Sequence, residues 1–104
     1  MAKQPLVPLS ESMFYVLLSL LKTPRCGSEM VAHIEELTKG RVKIGPGTLY
    51  AILFRFEEEG IIHEISTQGR KRTYELTATG KQLYINEKTR IYQMIDHINE
   101  EELR

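Results

Sequence analysis

The chain has 104 residues, of which 41% are hydrophobic and 27% charged, a composition typical of one small globular domain. Basic and acidic residues number 14 each, so the net charge of zero does not predict a polyanionic partner and only the local distribution of charge is informative. The single cysteine, Cys26, excludes an internal disulfide. The longest apolar run is too short to cross a bilayer and the N-terminus lacks a signal-peptide layout, so we expect a cytoplasmic protein without membrane contact.

The first part of the chain predicts an arm and two helices. Residues 1–9 contain two prolines and should form an irregular arm. Ser10 can cap a first helix that runs to about Lys22, where a proline-containing break follows. The apolar residues of this helix cover most of its circumference, which favours burial against the domain core on one side and against a second subunit on the other. A second helix is predicted to be capped by Ser28 and to end at Gly40.

A third helix is predicted between Gly45, a suitable N-cap followed by proline, and Gly60, which suits a left-handed C-terminal cap. One face is an apolar stripe at helical spacing, Leu49, Ile52, Leu53 and Phe56. The opposite face has small side chains and then one cation, Thr48, Ala51 and Arg55. The acidic run Glu57–Glu59 is interpreted as a solvated helix end that points away from DNA. Two helices joined by a short link, the second with a polar outer face, indicate a helix-turn-helix.

After Gly60 the periodicity changes to that of a β-hairpin. Residues 61–67 and 73–77 read as strands, and the turn over residues 68–72 carries three cations with no acid beside them. A basic hairpin that directly follows the second helix of a helix-turn-helix, the helix that enters a nucleic-acid groove, is a wing. The sequence has two basic clusters. The first precedes the third helix and consists of Lys39, Arg41 and Lys43, and the second lies in this turn and consists of Arg70, Lys71 and Arg72.

A long last helix is predicted from Ala78 to about Leu103, capped by Thr77. Its apolar residues follow heptad spacing, interrupted by the polar residues 86–90. A helix that leaves a compact domain has nothing of its own to bury such a seam against, so a second copy is expected to cover it. The predicted dimer interface, which includes one face of the first helix, consists of Phe14, Leu17, Leu21, Tyr84, Ile91, Met94, Ile95 and Ile98.

The fold class predicted from these elements is α+β, mostly α. We expect a winged helix-turn-helix domain over residues 1–77 and a C-terminal dimerisation helix over residues 78–104.

Several motifs, occurring in the right order, resemble the PadR family of bacterial transcriptional regulators. The family's recognition-helix signature is similar to residues 47–62, which begin Gly-Thr-Leu-Tyr. Its wing and the "Leu-Thr-x-x-Gly" start of its final helix are similar to residues 69–80, and the opening of its second helix is similar to Gly27 with Glu29-Met30. The family usually has proline where Ala51 stands and an aromatic residue where Ser28 stands. The first departure bears on how closely the helix approaches DNA.

The resemblance implies a dimeric repressor of the short subfamily, which binds an inverted-repeat operator and is released by a small-molecule effector. The half-sites would lie about one helical turn apart, roughly 10 bp. DNA contacts are expected from Lys39, Arg41, Lys43, Thr48, Tyr50, Ala51, Arg55, Arg70, Lys71 and Arg72. Tyr84, Tyr92 and Met94 are candidates for lining a pocket between subunits for an aromatic effector, an interpretation compatible with a plain dimer interface. The chain has no tryptophan, so the tryptophan-lined drug site of some relatives does not carry over.

An enzyme is not expected, because the sequence shows no Ser/His/Asp, Cys/His or phosphate-loop pattern and no cofactor motif. A metal site is not expected either, since His33, His63 and His97 have no ligand spacing with one another or with Cys26. Cys26 is open to two interpretations, an ordinary helix-start residue or a redox sensor. The alternative function is a winged helix used only for protein–protein contact, which would not need a run of cations at the wing tip.

Overall fold

A computed structural model describes residues 5–104, and residues 1–4 of the predicted arm lie outside this part. The elements in chain order are α1 (Glu11–Ser19), β1 (Arg25–Cys26), α2 (Gly27–Leu37), α3 (Pro46–Glu58), β2 (Ile62–Gln68), β3 (Lys71–Leu76) and α4 (Ala78–Glu102). The strands form one antiparallel sheet in the order β1-β3-β2. The predicted α+β, mostly helical winged fold with a long final helix is confirmed. Within residues 5–104, no helix combines the length and hydropathy needed to cross a bilayer.

One core lies between the first three helices and the sheet. The predicted apolar stripe of α3 forms its centre, and Leu49, Ile52, Leu53 and Phe56 are each at most 6% exposed. Leu17 belongs to the same core, where it is 0% exposed. The prediction that Leu17 lies in a dimer interface is therefore wrong, because burial within its own chain leaves it no surface to offer a second copy.

Helix α1 ends at Ser19, earlier than the sequence suggested. Its predicted cap is present, since Ser10 Oγ accepts the N–H of Met13 at 3.2 Å. At the other end the Arg25 Nε donates to the carbonyl of Ser19 at 2.8 Å, which satisfies one of the carbonyls that a helix end exposes. Arg25 also begins β1, a two-residue strand paired with β3 that the sequence analysis did not predict.

Helix α2 is capped by Cys26 and not by Ser28. Pairing with Thr73 of β3 holds Cys26 in extended conformation, and the helix begins at the next residue. The Glu29 carboxylate accepts the N–H of Cys26 at 2.8 Å, and this hydrogen bond lowers the pKa of Glu29. The cysteine is 7% exposed, with its Sγ 3.3 Å from Ser28 Oγ.

A short junction connects the end of α3 to the start of α4. Gly60 adopts φ +70, the left-handed conformation that favours glycine, and the next N–H, of Ile61, donates to the carbonyl of Phe56 at 2.8 Å. Thr77 caps α4 by accepting the N–H of Gly80 at 3.0 Å, and its Oγ1 lies within hydrogen-bond distance of the carbonyls of Gly60 and Ile61. The chain thereby fixes where α4 leaves the domain.

The first half of α4 packs on the domain. Tyr84 stacks on Phe14 of α1 with ring centroids 6.2 Å apart. Glu87, interpreted from sequence as part of a polar interruption, is 4% exposed and accepts the N–H of Leu9 at 2.7 Å. Burial raises the pKa of Glu87, while the Arg90 guanidinium and the Leu9 N–H lower it, and the net shift is downward. The N-terminal arm is thus tied to the long helix through a buried carboxylate.

We predict that Gly80→Ala destabilises the fold. A Cβ at this position would lie 2.2 Å from the carbonyl oxygen of Ile61, so the junction must move apart. Overpacking of this kind costs about 2 kcal/mol, more than the roughly 1 kcal/mol that alanine contributes over glycine inside a helix. Urea unfolding measures the change, with Thr79→Ala on the exposed side of the same turn as control. A Gly80→Ala protein as stable as the wild type would contradict the close packing described here.

Candidate nucleic-acid interface

The outer face of α3 is open to solvent at its N-terminal end. Gly45 is the N-cap and proline occupies the first helical turn, as the sequence predicted. Thr48, Tyr50 and Ala51 are all exposed, and Tyr50 has 68% of its surface accessible. Because the first turn contains no acidic residue, the positive end of the helix dipole is uncompensated there.

A basic loop precedes α3. Val42 and Ile44 are each 6% exposed and anchor the loop in the core, so the intervening Lys43 points outward with the other cations of the cluster. Arg41 donates to Glu11 at 3.1 Å and to the Tyr15 hydroxyl at 3.2 Å, contacts that raise its pKa and hold its guanidinium against α1. Within residues 5–104, neither Lys39 nor Lys43 takes part in an ion pair, so their ammonium groups remain available to an external anion.

The wing has a tighter turn than predicted. Gln68 pairs with Lys71, which leaves a two-residue loop of Gly69, at φ +62, and Arg70. Lys71 and Arg72 therefore lie in β3 and not in the turn, so only Arg70 occupies the tip.

Acidic side chains accompany two of the three wing cations, which corrects the prediction that none lay beside them. Arg72 forms an ion pair with Glu64, lies 3.7 Å from Glu57 and covers the Tyr74 ring at 5.4 Å. The hydrogen bond from Arg72 lowers the pKa of Glu64. Lys71 Nζ lies 3.7 Å from a Glu29 oxygen. In the described part of the chain, Arg70 alone of the three makes no ion pair.

The acidic end of α3 is not simply solvated. Glu59 pairs with Arg55 at 3.2 Å, with side chains 29% and 22% exposed, and Glu57 contacts Arg72 of the wing. The prediction that Glu57–Glu59 is a solvated helix end does not hold for Glu57 and Glu59, whose carboxylates contact Arg72 and Arg55; that the run points away from DNA stays a prediction. The Arg55–Glu59 pair also restricts the reach of Arg55 toward a base.

A cavity of about 570 Å³ separates the wing from the N-terminus of α2 and the exposed side of α3. Its wall includes Ser28, Glu29, Tyr50, Arg70 and Lys71, so hydroxyl and cationic groups from three elements face one space together with the Glu29 carboxylate. The floor is formed by Leu49, Leu53 and Tyr74, which are buried. The three elements thus border a cleft that can accept an anionic strand.

The predicted dimer residues separate into a covered group and an open group. Phe14 and Tyr84 contact each other within the chain, and Leu21 and Ile91 are half-buried. On the last turns of α4 the large apolar side chains are exposed to solvent, with exposed fractions of 51% for Met94, 45% for Ile95 and 53% for Ile98. Among the predicted dimer residues, those on the last turns of α4 are therefore the most exposed.

The three residues predicted to line an effector pocket are not adjacent in one chain. Tyr84 stacks against α1, whereas Tyr92 and Met94 lie about 12 Å or more further along α4. Both of these are exposed, at 61% and 51%. Across residues 5–104, no group of three or more His, Cys, Asp or Glu side chains is placed to hold a metal ion.

One exposed residue of α3, Phe54, was not among the predicted site residues. Its ring is 66% exposed, although its neighbours Leu53 and Phe56 are buried. Its exposure could have been predicted from its position in the helix. Phe54 follows Tyr50 by four residues and Ala51 by three, so it lies on the face opposite the apolar stripe.

A helix-turn-helix followed by a hairpin wing defines the winged-helix class of DNA-binding proteins. The sequence matches the Transcriptional regulator PadR-like family over residues 16–86, and the chain belongs to that family of DNA-binding transcriptional regulators.

Two solved structures show the same fold as this chain. A transcriptional regulator from Clostridium thermocellum superposes with a TM-score of 0.76 at 25% identity, covering 85% of this chain and 86% of that one. Bacillus subtilis PadR in complex with operator DNA superposes with a TM-score of 0.66 at 24% identity, covering 76% of this chain and 47% of PadR, a likeness of fold. Among curated proteins, an uncharacterized transposon protein from Streptomyces fradiae is 32% identical over 74 residues. The match covers 71% of this chain but only 21% of that relative.

We predict that Glu64→Gln strengthens binding to duplex DNA. The substitution removes a negative charge from the wing and one of the two acidic partners of Arg72, leaving Glu57. The dependence of log K on log salt should become steeper by up to about one unit, because one more cation can meet a phosphate. Glu75→Gln removes the same charge from the adjacent strand, where Glu75 contacts His63, and is the matched control. Equal salt slopes for Glu64→Gln and the wild type would show that Arg72 does not approach DNA.

Proposed function

We propose that this protein binds an inverted-repeat operator as a homodimer and represses transcription from it, without enzymatic activity and in the cytoplasm. The observation that carries the proposal is the exposed outer face of α3 between two sets of cations that have no acidic partner in residues 5–104. These cations are Lys39 and Lys43 before the helix and Arg70 at the wing tip.

In this arrangement α3 enters the major groove with its N-terminus first. Thr48 and Ala51 are small enough to let the helix approach base edges, and the exposed Tyr50 hydroxyl can donate to a phosphate. Arg70 reaches the adjacent minor groove, as wing residues do when a hairpin flanks the reading helix. Arg41, Arg55, Lys71 and Arg72 contribute less directly, because each forms an ion pair that DNA phosphates would have to replace.

The bare apolar end of α4 supports the homodimer. Met94, Ile95 and Ile98 lie on one side of the last turns, and a second copy related by a twofold axis would cover both sets at once. The Bacillus subtilis PadR structure contains operator DNA, and an inverted repeat is the DNA arrangement that matches a twofold protein.

Release by an aromatic effector is part of the proposal. Tyr92 and Met94 are both exposed on α4, but residues two apart in a helix point to different sides. A planar molecule between the subunits would therefore contact Tyr92 or Met94 of one copy together with Tyr84 of the second. Binding there would change the separation of the two reading helices and lower the affinity for DNA.

A winged helix that contacts only proteins is the less favoured candidate, because the family is one of transcriptional regulators and the unpaired cations border the reading helix.

The proposal predicts a salt-dependent affinity for duplex DNA that depends on Lys43 and Arg70. Replacing both with glutamine should reduce the slope of log K against log salt by about two, since each phosphate contact contributes about 0.9. The matched control replaces Lys22 and Lys81, which lie together at the far end of β3, with glutamine. Fluorescence anisotropy across roughly 50–200 mM salt measures the slopes. Affinity that does not change with salt, or equal slopes for both double variants, would refute the DNA-binding surface.

The proposal also predicts that Ile98→Asp weakens the dimer. A carboxylate would enter the apolar contact in both copies, and burying an unpaired charge should reduce association by about tenfold or more. Ile85→Asp introduces the same charge on the opposite side of α4, where Ile85 is 48% exposed against 53% for Ile98. Sedimentation over a concentration series measures both. A dimer that tolerates Ile98→Asp as well as Ile85→Asp would place the interface elsewhere.

A further inference from the structure

The outermost line of α3 is apolar over its first two turns and ends at an exposed acid, Glu58, four residues after Phe54. Gly47, Ala51 and Phe54 follow one another at spacings that place them on one side of the helix, opposite the buried stripe. We call these residues the apolar line. A Cβ added at Gly47 would meet nothing within 4 Å, and the Phe54 ring is 66% exposed, so the line is open to a ligand along its whole length.

The charges around the apolar line indicate what covers it. Lys39 and Lys43 lie before the helix and Arg70 lies across from it on the wing, and none has an ion-pair partner in the described part of the chain. An apolar protein surface of a partner would have to bury these cations or supply acids for them. A DNA duplex supplies a phosphate row on each side of a groove whose floor presents base edges, which fits cations beside an apolar centre.

Side chains of the apolar line cannot donate or accept a hydrogen bond, so they cannot read the polar atoms of a base. The C5-methyl of thymine is the apolar group that base pairs present in the major groove, and aromatic and alanine side chains contact it. From Gly47 to Phe54 the helix advances about 10 Å, which corresponds to roughly three base-pair steps. The ring of Phe54 projects furthest and is the largest apolar group on the line.

We infer that Phe54 is a specificity-determining residue that packs its ring on thymine C5-methyl groups, with Ala51 beside it, so that α3 selects thymine at the centre of each half-site. The inference rests on the proposed operator binding and adds to it the base that is read. The Phe54 ring would distinguish bases by apolar contact, whereas the surrounding cations would bind phosphates and supply affinity that does not depend on the DNA sequence.

The test compares two versions of the same duplex. Duplexes that the wild-type protein selects from a random pool are synthesised once with thymidine and once with deoxyuridine, which lacks only the methyl group. Each methyl that the Phe54 ring buries should contribute about fourfold to the affinity, so deoxyuridine weakens wild-type binding by at least that factor. Phe54→Ala should bind the thymidine duplex more weakly and bring the ratio of the two affinities close to one.

Leu37→Ala is the matched control, because Leu37 is also an exposed apolar residue, at 52%, but lies at the end of α2. It should keep the wild-type ratio. Equal wild-type affinity for both duplexes, with normal salt dependence, would overturn the inference and leave the proposed function intact. If Phe54→Ala kept the wild-type ratio of affinities for the thymidine and deoxyuridine duplexes, the inference would also be overturned, because the methyl groups would then not be contacted by the Phe54 ring. Absence of any duplex binding would instead refute the proposed function and the inference with it.

Discussion

The contact between Ile61 and the first turn of α4 is the constraint on which the rest of the structure depends. The Ile61 carbonyl accepts the N–H of Thr77 at 3.0 Å, while Gly80 packs so closely that it leaves no room for a Cβ. One point therefore joins the end of the reading helix, both strands of the wing and the start of the long helix. Since these elements meet at backbone atoms, the direction of α4 relative to α3 cannot drift with side-chain rotamers. A dimer formed through α4 would transmit this geometry to the spacing of two reading helices.

In this chain of zero net charge, ion pairing determines which cations are available to an external anion. Arg55, Lys71 and Arg72 are engaged by nearby glutamates, and Arg41 is held by Glu11. Exposed ion pairs of this kind contribute little to stability, so their main consequence is to decide which cations stay available. The available ones flank the N-terminal half of α3, where the helix dipole adds to their field. In the described part of the chain, Lys39, Lys43 and Arg70 thus lie beside the exposed face of α3 without an acidic partner.

Much of the fold could be predicted from the sequence, because the helices have local caps, stripes and glycine ends that depend on neighbours in the chain. The apolar stripe of α3, the hairpin and the extent of α4 are such cases. The errors concern partners distant in sequence. Cys26 caps α2 because it pairs with Thr73. Leu17 is buried in a core formed with elements that follow later in the sequence, and Glu87 accepts an N–H from Leu9, 78 residues away. The hairpin that carries the wing cations was predicted, but the position of Lys71 and Arg72 in β3 and the ion pairs of Arg72 with acidic residues required the three-dimensional arrangement.

The central claim is that DNA binds across the exposed face of α3, the loop before it and the wing tip. Amide chemical shifts of the isotope-labelled protein, followed as a duplex is added, test this most directly in a chain of 104 residues. The account predicts that the largest changes fall on Lys39 to Lys43, on Gly47 to Phe54 and on Gly69 and Arg70. Changes concentrated in the last turns of α4, with the α3 face unaffected, would contradict it.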